Sequence, residues 1–145
     1  MSMQYRSNTP EQTKKIAAEV AQTLKAGDVL FLEGNLGSGK TTFVQGLVEA
    51  FRYDGPVRSP TFAIMNVYPT SHPTIQKIVH VDLYRLADAS ELRTLALEEC
   101  LEDPNALVIV EWPHLLEPLI KKPYTKITFA FLENEARLLT IEKYP

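Results

Sequence analysis

Three of the chain's six glycines fall within six residues, in Gly34-Asn35-Leu36-Gly37-Ser38-Gly39-Lys40-Thr41. Crowded glycines cost chain entropy on folding, so a loop that keeps them has a use for their freedom. At a glycine the backbone can take positive φ, turn successive amides toward one point and leave no Cβ in front of them, which suits an anion. The stretch matches G-x-x-x-x-G-K-[ST] at every fixed position. In that spacing Lys40 reaches the β- and γ-phosphates of a nucleotide, and the Thr41 hydroxyl can ligate Mg²⁺. With glycine near 7% of average usage, a chain this long acquires the pattern by accident in roughly one case in two hundred.

A phosphate loop needs a buried strand before it and a helix after it, and both are legible. Val29-Leu30-Phe31-Leu32 is a short apolar run bounded by Gly27-Asp28 and Gly34, the pattern of a covered strand. Phe43, Val44, Leu47, Val48 and Phe51 fall on one face of a helix beginning at Lys40, whose positive end points at the bound charge. Upstream, Thr9-Pro10-Glu11-Gln12 reads as a helix start. Ile16, Val20 and Leu24, with Ala17 and Ala21, then recur at helical spacing, and Gly27 fits the stop. Downstream the pattern predicts a Pro-rich loop, a strand over Phe62 to Tyr68, a turn, and a strand over Ile78 to Leu83. A helix over Ser90 to Leu101 follows, then a buried strand over Ala106 to Val110. A terminal hairpin, Lys126 to Leu132 and Arg137 to Glu142, flanks Glu133-Asn134-Glu135. This order predicts an α/β fold: a three-layer P-loop NTPase domain with a mixed central sheet and a C-terminal antiparallel hairpin.

Composition bounds the partners. A chain of 145 residues suits one domain, 1–145. Fifteen Lys and Arg against eighteen Asp and Glu leave a net charge of −3, a poor balance for coating nucleic acid or anionic membrane by charge alone. The single cysteine, Cys100, allows no internal disulfide and suits a reducing compartment. The start, Met1-Ser2-Met3-Gln4-Tyr5-Arg6, lacks an apolar core of signal-peptide length. No run approaches the ~18 apolar residues of a membrane span. The expectation is a soluble cytoplasmic domain.

Chemistry at a γ-phosphate needs Mg²⁺ held from a second side, usually by a carboxylate at a neighbouring strand end. Glu111 follows the wholly apolar Ala106 to Val110 run, and Asp82 follows Ile78-Val79-His80-Val81. The apolar run better fits a strand beside the phosphate loop, which favours Glu111 for Mg²⁺ and leaves Asp82 to position water. Ser59-Pro60-Thr61 reads either as a plain turn or as a mobile loop whose hydroxyl senses the γ-phosphate. Arg85 reads as a charge stabiliser or, more simply, as a surface ion pair with Asp88 or Glu91. Trp112 is a packing residue or an anchor for a partner. His80, between Val79 and Val81, packs or hydrogen-bonds; His72 and His114 have no neighbouring ligands; Cys100 is a small core residue.

Four segments together resemble one family. Gly34 to Thr42, Ser59-Pro60-Thr61-Phe62, His80-Val81-Asp82-Leu83-Tyr84-Arg85 and Val110-Glu111-Trp112-Pro113 have the order and spacing of TsaE, formerly YjeE. The likeness runs from about Thr9 to Ile141. TsaE is the small bacterial ATPase of tRNA threonylcarbamoyladenosine synthesis. The resemblance implies a P-loop fold that binds ATP with Mg²⁺, hydrolyses it slowly and acts with the proteins TsaB and TsaD, which reach the tRNA. It also implies roles. Gly37, Ser38, Gly39, Lys40, Thr41 and Thr42 would hold the phosphates, with Thr41 and Glu111 at Mg²⁺. Thr61 would belong to a switch loop, and Asp82 would be needed for hydrolysis. Glu11 and Arg137 would lie at the nucleotide edge.

Two other readings share the glycine loop. A small P-loop kinase would need a basic pocket for its acceptor, and no basic cluster follows the loop. A guanine-specific switch protein would use Asn-Lys-x-Asp, which does not occur.

Overall fold

The structure is a computed structural model that describes residues 2–58, 60 and 64–145, with the backbone alone described at 93–95. Its strands are β1 (Ser2–Ser7), β2 (Val29–Glu33), β3 (Met65–Pro69), β4 (Lys77–Asp82), β5 (Ala106–Glu111), β6 (Tyr124–Phe131) and β7 (Arg137–Tyr144). The helices are α1 (Pro10–Ala21), α2 (Lys40–Ala50) and α3 (Leu97–Glu102). The strands form one seven-stranded mixed sheet in the order β1-β7-β6-β2-β5-β4-β3. Its middle, β6-β2-β5-β4, is parallel. Antiparallel strands close both sides: β3 on β4, and β7 then β1 on β6.

Alternation along the parallel strands sorts the core into two layers. Leu30, Leu32, Ile78, Leu107 and Ile109 meet α1 and α2 through Ile16, Val20, Phe43 and Leu47. Val29, Phe31, Val79, Val81, Val108 and Val110 face the other way, toward Leu92, Leu97 and Leu116. Both faces of β5 are therefore covered, which is why Ala106 to Val110 has no polar residue. The expected three-layer α/β arrangement and C-terminal hairpin are both present. None of the helices among the described residues is long and apolar enough to cross a membrane.

Local chemistry explains the element ends. Thr9 caps α1 by accepting from the Gln12 amide at 3.1 Å, and Gln12 reaches back to the Asn8 amide at 2.7 Å. The helix stops at Ala21, earlier than the expected stop at Gly27. Gly27 instead takes φ 90° and donates to the Ala106 carbonyl at 2.8 Å, leading into β2. The expected helix over Ser90 to Leu101 is also corrected. Asp88 and Glu91 cap a tight 3₁₀ segment, Ala89–Leu95, and the left-handed Ala96, φ 55°, breaks it from α3. Leucine spacing looks continuous through such a break because it does not register the sign of φ. The strand expected over Phe62 to Tyr68 is present from Met65, with Phe62 and Ala63 outside the described residues.

Helices α1 and α2 touch at Gly46, where a Cβ would stand 2.7 Å from the Lys14 Cα and 2.9 Å from its carbonyl oxygen. Backbone cannot yield as a flexible side chain does. Gly46→Val is expected to lower stability by about 1–3 kcal/mol, the usual range for overpacking. Chemical denaturation with an unshifted midpoint would show that the two helices part freely.

Candidate functional site

The parallel strands β2, β5 and β4 all end at one edge of the sheet, and each contributes there. The glycine loop leaves β2 at Gly34, whose absent Cβ would meet Ser38 Oγ at 2.7 Å and Phe129 Cβ at 2.9 Å. Only a glycine lets the loop lie this close to β6. Gly37 and Gly39 take φ 79° and 103°, with open space where side chains would stand. Gly39 is also the N-cap of α2 and gives it no side-chain cap. Among the described residues no side chain caps the first turn of α2, whose positive end faces the loop mouth. Ser38 Oγ is buried without a hydrogen-bond partner among the described residues. An open cradle with uncapped amides and an unsatisfied hydroxyl fits a phosphate chain.

Lys40 lies inside this cradle. Its ammonium donates to the Gly34 carbonyl at 2.7 Å, sits 4.0 Å from Glu111 Oε1 and stands 4.0 Å over the Trp112 ring. Burial pushes its pKa below the ordinary lysine value, against the opposing pull of Glu111, Asp82 and Glu33. Thr41 and Thr42, half-buried, follow in the first turn of α2.

The two candidate carboxylates end adjacent strands in register, Asp82 opposite Glu111, each about 3% exposed. Glu111 Oε2 lies 2.5 Å from His80 Nε2. An ionised carboxylate only accepts, so the histidine donates. Asp82 Oδ1 accepts from the Tyr84 amide at 2.8 Å. Immediately after Glu111, Trp112 is left-handed at φ 55° just before Pro113. Such a conformation costs a non-glycine residue about 1–3 kcal/mol. It turns the indole toward Lys40 and onto Tyr84, whose ring centroid is 4.8 Å away.

The hairpin reaches the same place from β7. Arg137 Nη2 donates to the Gly37 carbonyl at 3.3 Å, Nη1 donates to the Glu135 carbonyl, and the guanidinium stands 4.5 Å over Phe131. Beside the loop is a cavity of about 290 Å³ whose wall includes Asn8, Thr9, Gly37, Thr42 and Arg137. Glu11 is exposed in the first turn of α1 and is not part of that wall, which takes Thr9, Pro10 and Thr13 around it. The structure therefore brings Gly37, Ser38, Gly39, Lys40, Thr41, Thr42, Asp82, Glu111 and Arg137 together. Thr61, with Ser59 and Phe62, lies outside the described residues.

Three contributions escape a reading of the sequence. Strand β1 pairs with β7 and delivers Asn8 and Thr9 to the cavity; the alternation of Met3 and Tyr5 with Gln4 and Arg6 is its only trace. Trp112 contacts the loop lysine, which no local pattern announces. His80 meets Glu111 across strands, a pairing visible once strand order is known.

A family model described as "Threonylcarbamoyl adenosine biosynthesis protein TsaE" matches residues 7–139. A Rickettsia conorii protein named tRNA threonylcarbamoyladenosine biosynthesis protein TsaE is 36% identical over 135 residues, covering 92% of this chain and 74% of its own. The Bacillus subtilis protein of the same name is 37% identical over 138 residues, covering 95% of this chain and 84% of its own. A crystal structure of Bacillus subtilis YdiB superposes with a TM-score of 0.80 at 31% identity, covering 97% of this chain and 84% of that one. The match extends from the end of β1 through Arg137 and so spans every part of the site just described. This chain belongs to the TsaE family of tRNA threonylcarbamoyladenosine biosynthesis proteins.

Proposed function

We propose that this protein is the ATP-binding, ATP-hydrolysing component of the tRNA threonylcarbamoyladenosine machinery, a cytoplasmic domain working with TsaB and TsaD. One observation supports the nucleotide chemistry most directly. A buried lysine stands between an uncapped glycine loop and a buried carboxylate, 2.7 Å from a loop carbonyl and 4.0 Å from Glu111. The partners follow from the family resemblance, and a net charge of −3 favours reaching tRNA through them.

The amides from Gly37 to Thr42, with Ser38 Oγ, bind the phosphates. Lys40 exchanges the Gly34 carbonyl for phosphate oxygens, a stronger charge-assisted contact. The Thr41 hydroxyl and the Glu111 carboxylate would hold Mg²⁺, which would supply neutralisation of phosphate charge. Asp82 orients the attacking water, and the family resemblance makes Thr61 the candidate that senses the γ-phosphate. Arg137 borders the rest of the nucleotide, which occupies the cavity lined by Asn8, Thr9 and Thr42, and Glu11 stays exposed outside that wall.

The assay is Mg²⁺-dependent ATP turnover, followed by phosphate release, with and without TsaB and TsaD. Free phosphate, rising when both partners are added, is expected. A phosphorylated small-molecule acceptor instead would move the protein to the kinases. A second readout needs no partner. Trp112 is the single tryptophan, and its ring faces the Lys40 ammonium at 4.0 Å. ATP binding draws that cation away, so indole emission is expected to shift on titration with MgATP and not in Lys40→Ala. Emission unchanged by saturating nucleotide would mean that Lys40 does not move.

A further inference from the structure

His80 is 0% exposed, on the face of β4 that also carries Ile78 and Asp82. Its surroundings do not explain it as a packing residue. Nδ1 is buried without a hydrogen-bond partner among the described residues, and the ring lies 6.1 Å from that of Tyr68, centroid to centroid. An apolar side chain of similar volume would fill this space without burying an unsatisfied nitrogen. The ring's polar contact is the 2.5 Å one from Nε2 to Glu111 Oε2.

Strand geometry makes that contact possible. His80 sits opposite Ile109, and Asp82 opposite Glu111, on parallel strands. Alternation puts residues 80 and 82 of β4 and 109 and 111 of β5 on one face, so His80 reaches Glu111 diagonally. With Oε2 held, the carboxylate cannot spin about its last bond, and Oε1 stays on the side of Lys40, at 4.0 Å. Both oxygens thereby acquire distinct tasks: one is tethered within the protein and the other is presented to the loop mouth.

We infer that His80 is a positioning residue that fixes Glu111 Oε2 so that Oε1 is offered to the divalent cation. The inference rests on the reading of Glu111 as a Mg²⁺ ligand. Groups that orient a metal-binding carboxylate in this way are worth about ten- to a hundredfold in metal affinity.

The test uses the full chain with ADP and follows Mn²⁺ binding by electron paramagnetic resonance. ADP affinity in EDTA is measured in parallel. His80→Asn keeps a polar amide but is too short to reach Glu111, whereas His80→Gln places an amide nitrogen near the present Nε2. The Asn variant is expected to weaken Mn²⁺ binding about tenfold or more with metal-free ADP affinity unchanged, and the Gln variant to recover most of the loss. Equal weakening in both, or none in either, would overturn the inference. Where His80→Asn does not fold, His80→Leu makes the same comparison with His80→Gln. Glu111→Gln separates the two ideas. If it leaves Mn²⁺ affinity unchanged, the ligand assignment itself falls; if it weakens Mn²⁺ while His80→Asn does not, only the positioning role falls.

Discussion

Lys40→Ala is expected to lose ATP binding while the protein stays folded. The ammonium is poised within the loop, and its present acceptor is a neutral carbonyl, Gly34, at 2.7 Å. Exchange of that carbonyl for phosphate gains a contact between opposite charges in a site from which water is largely excluded. Truncating one member of such a desolvated pair costs about 2–5 kcal/mol, or roughly thirty- to several-thousandfold in affinity. Folding should suffer less, because burial already works against the lysine charge, as its lowered pKa records. Calorimetric titration with ATP reads the loss, and thermal unfolding reads the control. An alanine variant that binds ATP as tightly as the parent would remove the phosphate-loop assignment.

The second large effect separates the two acids. Glu111→Ala is expected to raise the Mg²⁺ concentration needed for half-maximal hydrolysis by about tenfold or more, the scale of a disturbed metal site. Asp82→Ala is expected to lower turnover by about 10²–10⁴, the usual contribution of a positioned acid–base group, with its Mg²⁺ requirement near that of the parent. The structure supplies the reason for the split. Glu111 Oε1 faces Lys40 from β5, the strand next to β2 and its loop, whereas Asp82 ends β4, one strand farther away. A single series of Mg²⁺ titrations on both variants decides. The reverse order would exchange their roles. Because alanine at position 111 leaves Lys40 and His80 facing a missing partner, Glu111→Gln belongs in the series to control for stability.

What could be read from the chain follows from how local its causes are. The glycine loop is a local demand on φ and on free amides, and Gly37 and Gly39 meet it at φ 79° and 103°. The apolar run from Ala106 to Val110 announces a strand covered on both faces, and β5 lies beside β2 as that requires. Asp82 and Glu111 could be nominated because each ends such a run. Their register, and the diagonal reach of His80, could not be, since both depend on strand order. The break at Ala96 and the strained turn at Trp112 were equally hidden: each is a choice of backbone sign made by surrounding packing. Strand β1 is short and mostly exposed, and pairing with β7 more than its own composition makes it a strand.

That pairing has a consequence for how the protein is made. Ser2 lies opposite Glu142, and Ser7 opposite Arg137, so the edge of the sheet joins segments separated by nearly the whole chain. As the polypeptide emerges from the ribosome, residues 2–7 have no strand to pair with until residues 137–144 follow. The cavity shares this delay, because its wall takes Asn8 and Thr9 from one end and Arg137 from the other. Such long-range closure is slow, and it leaves an unpaired edge open to misassociation while it waits. Both the edge pairing of β1 and this wall of the cavity therefore exist only once β7 has joined the sheet.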